Sequence, residues 1–215
     1  MIGKQNLIDL CMDDYLKDGA EIYRLSFARI RAESNLAALP PEMEKVAVRL
    51  IHACGMTDLV QDLDFSPGAA LIARSALQRG AKIYCDSQMV AQGITRSRLP
   101  SNNSVICTLN ESEVITIAAE IGNTRSAAAV ELWQPHGAVV AIGNAPTALF
   151  HLLELIKSKN VVPAVILGFP VGFVGAVESK LALASSGIPY ITLHGRRGGS
   201  AIAAAAVNAL AQEAE

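Results

Sequence analysis

Five short apolar runs, each set off from the next by a stretch with helical patterning, restrict what this chain can fold into. They are KIYC (Lys82–Cys85), VICTL (Val105–Leu109), AVVAI (Ala138–Ile142), AVILG (Ala164–Gly168) and YITLH (Tyr190–His194). Runs of four or five residues bounded by turn signals read as buried strands, and their alternation with helices predicts parallel strands joined by crossovers. A parallel sheet must be covered on both faces, which demands an aliphatic-rich chain. The sequence meets that demand, with 51% hydrophobic residues, mostly Ala, Val, Ile and Leu, and only 5% aromatic. The expected fold class is α/β: a doubly wound, mostly parallel sheet flanked by helices, with a helical N-terminal segment.

Helix boundaries are marked in several places. Asp18 followed by Glu21 forms a capping pair that opens a helix through about Leu36. Pro40-Pro41 breaks the chain, and Pro41 suits the first turn of the next helix. In that helix Met43, Val46, Ala47, Leu50, Ile51 and Cys54 fall on one stripe, and Gly55 is its natural stop. Further helices are expected from Ser66-Pro67 to near Gly80, through Ala118 toward Trp133, from Asn144 to Lys157, and from Ser200 to Ala211. With no repeat, low-complexity segment or linker, the 215 residues read as one α/β domain, 1–14 being a short N-terminal extension.

Composition excludes several function classes. A net charge of −2 gives no global attraction to nucleic acid or to an anionic membrane. No apolar run approaches the roughly 18 residues of a membrane span, and the N-terminus lacks a secretory pattern, so a cytoplasmic protein is expected. Cys11, Cys54, Cys85 and Cys107 form no C-x-x-C and read as reduced thiols. No histidine or cysteine pair has metal-ligand spacing, so no metal site is expected. There is no phosphate loop and no nucleophile elbow, and the glycines of GFPVGFVG are misplaced for a dinucleotide fingerprint.

In open α/β sheets ligands gather at the carboxyl ends of the strands. The segments expected there are Asp86-Ser87, Gly143 to Pro146, Gly168 to Gly172, and Gly195 to Ser200. Glycine turns leading into helices make good anion sites, though glycine also simply permits a tight turn. Arg196-Arg197 inside one of them favours the anion reading. Thr95-Arg96-Ser97-Arg98 and Thr124-Arg125-Ser126 add guanidinium and hydroxyl donors suited to carboxylate or phosphate. One such cluster is more often a solvated patch. Several, in a chain with only 18% charged residues, point to a ligand with many anionic groups. Of four histidines, His136 and His151 flank a core strand and read as structural, while His194 ends the last strand near the arginine pair. His52 lies off the apolar stripe in the last turn of its helix, where exposed carbonyls favour the imidazolium. On spacing alone it is a candidate acid, set against the commoner structural role of a lone helical histidine.

These residues also carry a resemblance. IYRLSFARIRAE (Ile22–Glu33), RLIHACG (Arg49–Gly55) and CDSQMVAQGITRSRLP (Cys85–Pro100) resemble the precorrin-8X methylmutase family of cobalamin biosynthesis. So do EIGNTRSAAA (Glu120–Ala129), AIGNAPTALFHLLE (Ala141–Glu154), GFPVGFVGAVESK (Gly168–Lys180) and GRRGGSA (Gly195–Ala201). The likeness runs from about Tyr15 to Leu210 in one order. It implies an isomerase that moves a methyl group from carbon 11 to carbon 12 of precorrin-8X, giving hydrogenobyrinate, or of its cobalt complex, giving cobyrinate. The family's catalytic histidine falls in HACG, here His52. Positions matching those associated with substrate are Ser26, Thr95, Arg96, Arg125 and Ser126, with Arg31, Lys180 and Arg196 as further candidates. Gln92 stands where some members carry histidine, a departure that removes a titratable group there. The resemblance further implies a homodimer with sites near the subunit interface and no dissociable cofactor, any cobalt belonging to the tetrapyrrole substrate. Two other readings stay open at this point: a non-catalytic tetrapyrrole carrier, which would share every binding residue, and a nucleotide-using doubly wound enzyme.

Overall fold

The computed structural model describes residues 15–212, so the expected extension 1–14 and Cys11 lie outside the described residues. Two helices lead, α1 (Gly19–Glu33) and α2 (Pro41–Cys54), followed by strand β1 (Leu63–Phe65) and α3 (Ala69–Gln78). Then come β2 (Ile83–Cys85), α4 (Gln88–Gly93), β3 (Val105–Ile106), α5 (Glu113–Glu120) and α6 (Arg125–Glu131). The chain continues through β4 (Val139–Ile142), α7 (Pro146–Lys159), β5 (Val165–Gly168), α8 (Ala176–Ala184), β6 (Tyr190–Leu193) and α9 (Ser200–Ala211).

The six strands form one sheet in the order β1-β6-β5-β4-β2-β3. All pairings are parallel except β1 with β6, where Leu63 faces Leu193 and Phe65 faces Ile191. The winding direction reverses between β2 and β4, the kind of switch point at which such sheets open a crevice. Every residue of β4 and β5 is buried, as expected of strands covered on both faces. Val139 and Ala141 face the α2, α3 and α9 side, and Val140 and Ile142 face the α7 and α8 side.

The two N-terminal helices follow their sequence signals. The Asp18 carboxylate accepts the Ala20 and Glu21 N–H groups. Pro41 opens α2, and Gly55 closes it at φ 72°, a left-handed turn that suits glycine. Met43, Val46, Ala47, Leu50 and Ile51 are buried against α9, whose SAIAAAAVNALA sequence offers mostly methyl-sized side chains. Small residues let backbones approach closely: a Cβ added at Gly93 would stand 2.7 Å from the Ala204 Cβ. Asn208 of α9 then ties down the segment after α4, accepting the Thr95 N–H at 2.8 Å and donating to the Gly93 carbonyl at 3.0 Å.

Some expectations are corrected. The strand expected over Val105–Leu109 ends at Ile106, because Thr108 turns inward to donate to the Ala129 carbonyl and accept from Trp133 Nε1. The long helix toward Trp133 is two helices, parted where Gly122 takes φ 59°. The helix expected from Ser66-Pro67 begins at Ala69, after Gly68 in the left-handed region. Strand β1 and helices α4 and α8 were not expected from the sequence pattern.

Candidate active site

The carboxyl ends of β2 and β4 meet at the switch point, and Asp86 holds them together. Its buried carboxylate accepts the N–H groups of Gly143 at 2.9 Å and of Asn144 and Ala145 at 2.8 Å each. Burial pushes this carboxyl above its ordinary range, with the three N–H donors pulling it back. The donors of the Gly143–Pro146 turn are therefore occupied from within the protein, which corrects its expected role as an anion site. Beside it the Ser87 and Ser200 hydroxyls lie 3.2 Å apart.

His52 stands at the end of α2, exposed on one side and seated on aromatic rings of α1 on the other. Its ring centroid lies 5.2 Å from that of Tyr23, tilted by 36°, and 5.3 Å from that of Phe27, edge-on at 85°. The Arg49 guanidinium, one turn earlier on α2, sits 5.2 Å over the other ring contact, Phe27. Contact with these groups removes water from the imidazole, and the Arg49 charge adds to the effect, so the His52 pKa is lowered. This reverses the expectation that the helix carbonyls would favour the imidazolium. A lowered pKa makes the protonated ring a stronger acid. Ser26 is half-buried on the same side of α1 as Tyr23 and Ile30.

Tyr23 and Phe27 also line a cleft of about 640 Å³ that runs along α1 past Arg24, Arg31, Arg49 and Arg98. Arg31 lies at its far end with Nε 2.9 Å from Glu44 of α2, so part of its guanidinium is committed to that ion pair. Arg98 closes a single 3₁₀ turn that begins with Arg96, and Thr95 and Arg96 beside it are exposed. Arg31 and, from the basic Thr95–Arg98 cluster, Arg98 thus line one cleft, whose Tyr23 and Phe27 rings also seat His52.

The other candidates lie elsewhere along the sheet edge. Arg125 is exposed at the start of α6 and donates to the Leu109 carbonyl at 3.1 Å. Ser126 is half-buried next to it, and the Thr124 and Thr147 hydroxyls meet at 2.8 Å, linking α6 to α7. Arg196 is exposed, its guanidinium 5.0 Å over the ring of the exposed Phe173. Arg197 is held by Asp58 at 2.7 Å and Asp62 at 3.3 Å, which ties the loop after β6 to the segment after α2. Lys180 is only 1% exposed and donates to the Arg197 carbonyl at 2.7 Å, burial pushing its amine down to about 8. In this arrangement it holds the Arg196 loop and does not reach the surface, contrary to the direct substrate contact expected of it. His194 is within 3.2 Å of Asp64, and His151 is buried 2.7 Å from Glu131. Tyr23, Phe27 and Arg49 were missed in the sequence, while Arg98 was read only as part of the basic Thr95–Arg98 cluster. Their signal was present as an aromatic pair four residues apart and as arginines flanking the two candidate segments.

Comparison with known proteins decides what these residues belong to. The sequence profile described as precorrin-8X methylmutase matches residues 21–213. The chain belongs to the precorrin-8X methylmutase family. It is an isomerase of cobalamin biosynthesis, which sets aside the carrier and nucleotide-enzyme readings. Within the family it is 64% identical over 208 residues to a precorrin-8X methylmutase of Pseudomonas aeruginosa, covering 95% of this chain and 100% of that one. It is 40% identical over 174 residues to a cobalt-precorrin-8 methylmutase of Salmonella typhimurium, covering 79% of this chain and 81% of that one. A solved methylmutase structure from Thermus thermophilus superposes with a TM-score of 0.83 at 37% identity, covering 90% of this chain and 95% of that one. No helix among the described residues is long and apolar enough to cross a membrane.

Proposed function

We propose that this methylmutase converts metal-free precorrin-8X to hydrogenobyrinate by a methyl shift from carbon 11 to carbon 12, with His52 as the acid. The metal-free substrate is favoured by the higher identity to the relative named for precorrin-8X, 64% against 40% for the one named for the cobalt form. A [1,5]-sigmatropic shift needs neither nucleophile nor redox partner, so no dissociable cofactor is required. The protein must hold the ring in a reactive geometry and draw electron density toward the carbon that receives the methyl group. Protonation of a ring nitrogen does the second. The observation that carries this reading is the seat of His52, an exposed imidazole resting on Tyr23 and Phe27, two rings that also line an arginine-rich cleft.

Thr95, Arg96, Arg125, Ser126 and Arg196 present donors for the substrate's acetate and propionate carboxylates, with Ser26 adding a hydroxyl on the Tyr23 side of α1. These groups are spread along the sheet edge, and the same edge displays Met89, Phe173 and Val174 at 70%, 84% and 88% exposure. Apolar side chains so exposed favour burial against a second copy, and a homodimer would bring both sets of donors around one macrocycle. The enzyme would act in the cytoplasm as a single domain. Mixing the purified protein with precorrin-8X and following the visible spectrum tests the reading directly. Appearance of hydrogenobyrinate is expected, and binding without any spectral conversion would refute it.

A further inference from the structure

We propose that Lys180 serves the substrate indirectly, as a positioning residue: it clamps the loop Gly195–Gly199 from within and so fixes where Arg196 meets a carboxylate. The proposal rests on the function above, in which Arg196 is one of the donors. The loop follows β6, with Arg196 exposed and Arg197 turned back against the protein. It is anchored at its edges. The His194 N–H donates to the Asp62 carbonyl at 2.7 Å, and the Gly199 N–H to the Phe169 carbonyl at 2.8 Å. The Arg196 carbonyl accepts the Gly172 N–H at 3.3 Å. The Arg197 guanidinium meets Asp58 at 2.7 Å and Asp62 at 3.3 Å, which joins the loop to the segment that follows α2.

The middle of the loop turns on the Arg197–Gly198 peptide. Gly198 lies so close to the turn after β5 that an added Cβ would stand 2.2 Å from the Phe169 carbonyl oxygen. A residue without a side chain also resists rotation of its peptide least. Lys180 supplies that resistance. From buried positions on α8 it reaches across to donate to the Arg197 carbonyl at 2.7 Å. Burial holds its amine at about 8, so it is still charged at neutral pH and the bond is charge-assisted. Turning the carbonyl away would strand a buried ammonium, which makes this peptide orientation costly to leave. Arg196 is the next residue back along the chain, its guanidinium 5.0 Å over the Phe173 ring. Its backbone is thus fixed by its own carbonyl on one side and by the clamped Arg197 on the other.

Two perturbations of opposite charge separate positioning from simple attraction. Lys180→Met removes a positive charge and the donor, whereas Asp58→Ala with Asp62→Ala removes two negative charges and releases Arg197. If net charge alone mattered, the first would weaken binding of a polyanion and the second would strengthen it. The clamp requires both to weaken it. The test uses the full chain, hydrogenobyrinate as titrant and steady-state kinetics on precorrin-8X. Lys180→Met should weaken binding by about 10-fold, equivalent to misplacing one charge-assisted hydrogen bond, and the aspartate variant by about two- to fivefold. KM should rise while kcat stays within about threefold, since binding and not the proton transfer is lost. In an Arg196→Ala background each effect should shrink to less than about twofold, because the clamp then has nothing to position. A folded Lys180→Met with wild-type affinity, or an equal loss in both backgrounds, overturns the proposal. So does an aspartate variant that binds as well as wild type or better, and that variant decides alone if Lys180→Met does not fold. Arg196→Ala binding as tightly as wild type is a different failure, since it removes Arg196 from the proposed site.

Discussion

Replacing Asp86 should separate the integrity of the sheet's switch point from the chemistry at His52. The carboxylate accepts three N–H groups at 2.8–2.9 Å, those of Gly143 and Ala145 being buried and that of Asn144 partly so. Asp86→Ala leaves all three without an acceptor. At a net value of about 1–1.5 kcal/mol for each bond, part of it offset by no longer burying a charge, the loss is about 3–4 kcal/mol. That is a large share of the roughly 5–15 kcal/mol that holds an ordinary domain together. A chain of this size loses about 2–4 °C of melting temperature per kcal/mol, so the midpoint should fall by about 10 °C. Asp86→Asn keeps one oxygen, which can serve Asn144 and Ala145, and turns its amide toward the Gly143 donor. Its loss should be about half that of alanine. Urea unfolding followed by circular dichroism measures both, with the slope checked for constancy. A loss under about 1 kcal/mol for Asp86→Ala, or asparagine destabilising more than alanine, would refute the assignment of this carboxylate as the clasp between β2 and β4.

The remaining expectations concern the site and the assembly. Arg125→Ala and Arg196→Ala should each weaken hydrogenobyrinate binding, and wild-type affinity should fall with ionic strength as exposed carboxylate contacts are screened; calorimetric titrations unchanged by either would count against the polyanion account. Because only the protonated imidazole donates and the His52 pKa is lowered, kcat/KM should decline as pH rises through a value below the usual histidine pKa of about 6.5. A flat profile between about pH 5 and 8 would contradict the acid role. Sedimentation at micromolar concentration should give about twice the 22.7 kDa of one chain, and Phe173→Asp with Val174→Asp should shift it toward monomer, whereas a wild-type monomer would refute the dimer.

What the sequence made legible follows from where local chemistry decides structure. The five apolar runs became β2 to β6 because strands buried on both faces need unbroken aliphatic stretches, and these leave a visible trace. The caps at Asp18, Pro41 and Gly55 were legible because each acts within one turn. Strand β1 was not, since a three-residue LDF carries no period of its own. It exists through its partners, including the Tyr190 hydroxyl donating to Asp64 at 3.0 Å. The placement of His52 off the apolar stripe was readable from helical spacing, but the direction of its pKa shift was not. That depends on α1 lying against α2 and delivering Tyr23 and Phe27, a tertiary contact that helix-end reasoning cannot see. Lys180 shows the same limit: the family resemblance suggested a substrate contact, and its burial under the Arg197 carbonyl appears only once α8 packs beside β6.

The central claim is that His52 supplies the proton for the methyl shift and is not needed to hold the macrocycle. Single-turnover conversion of precorrin-8X by His52→Ala, run beside a hydrogenobyrinate titration of the same protein, measures both halves at once. Loss of a general acid lowers the rate by about 10²–10⁴-fold, because the proton matters only as charge redistributes in the transition state. The account therefore requires a fall in that range with product affinity within about threefold of wild type and an unchanged urea midpoint. Near wild-type conversion by His52→Ala would place the acid elsewhere, with His194 the next to replace. A variant that loses its fold together with its activity would instead make His52 a structural residue.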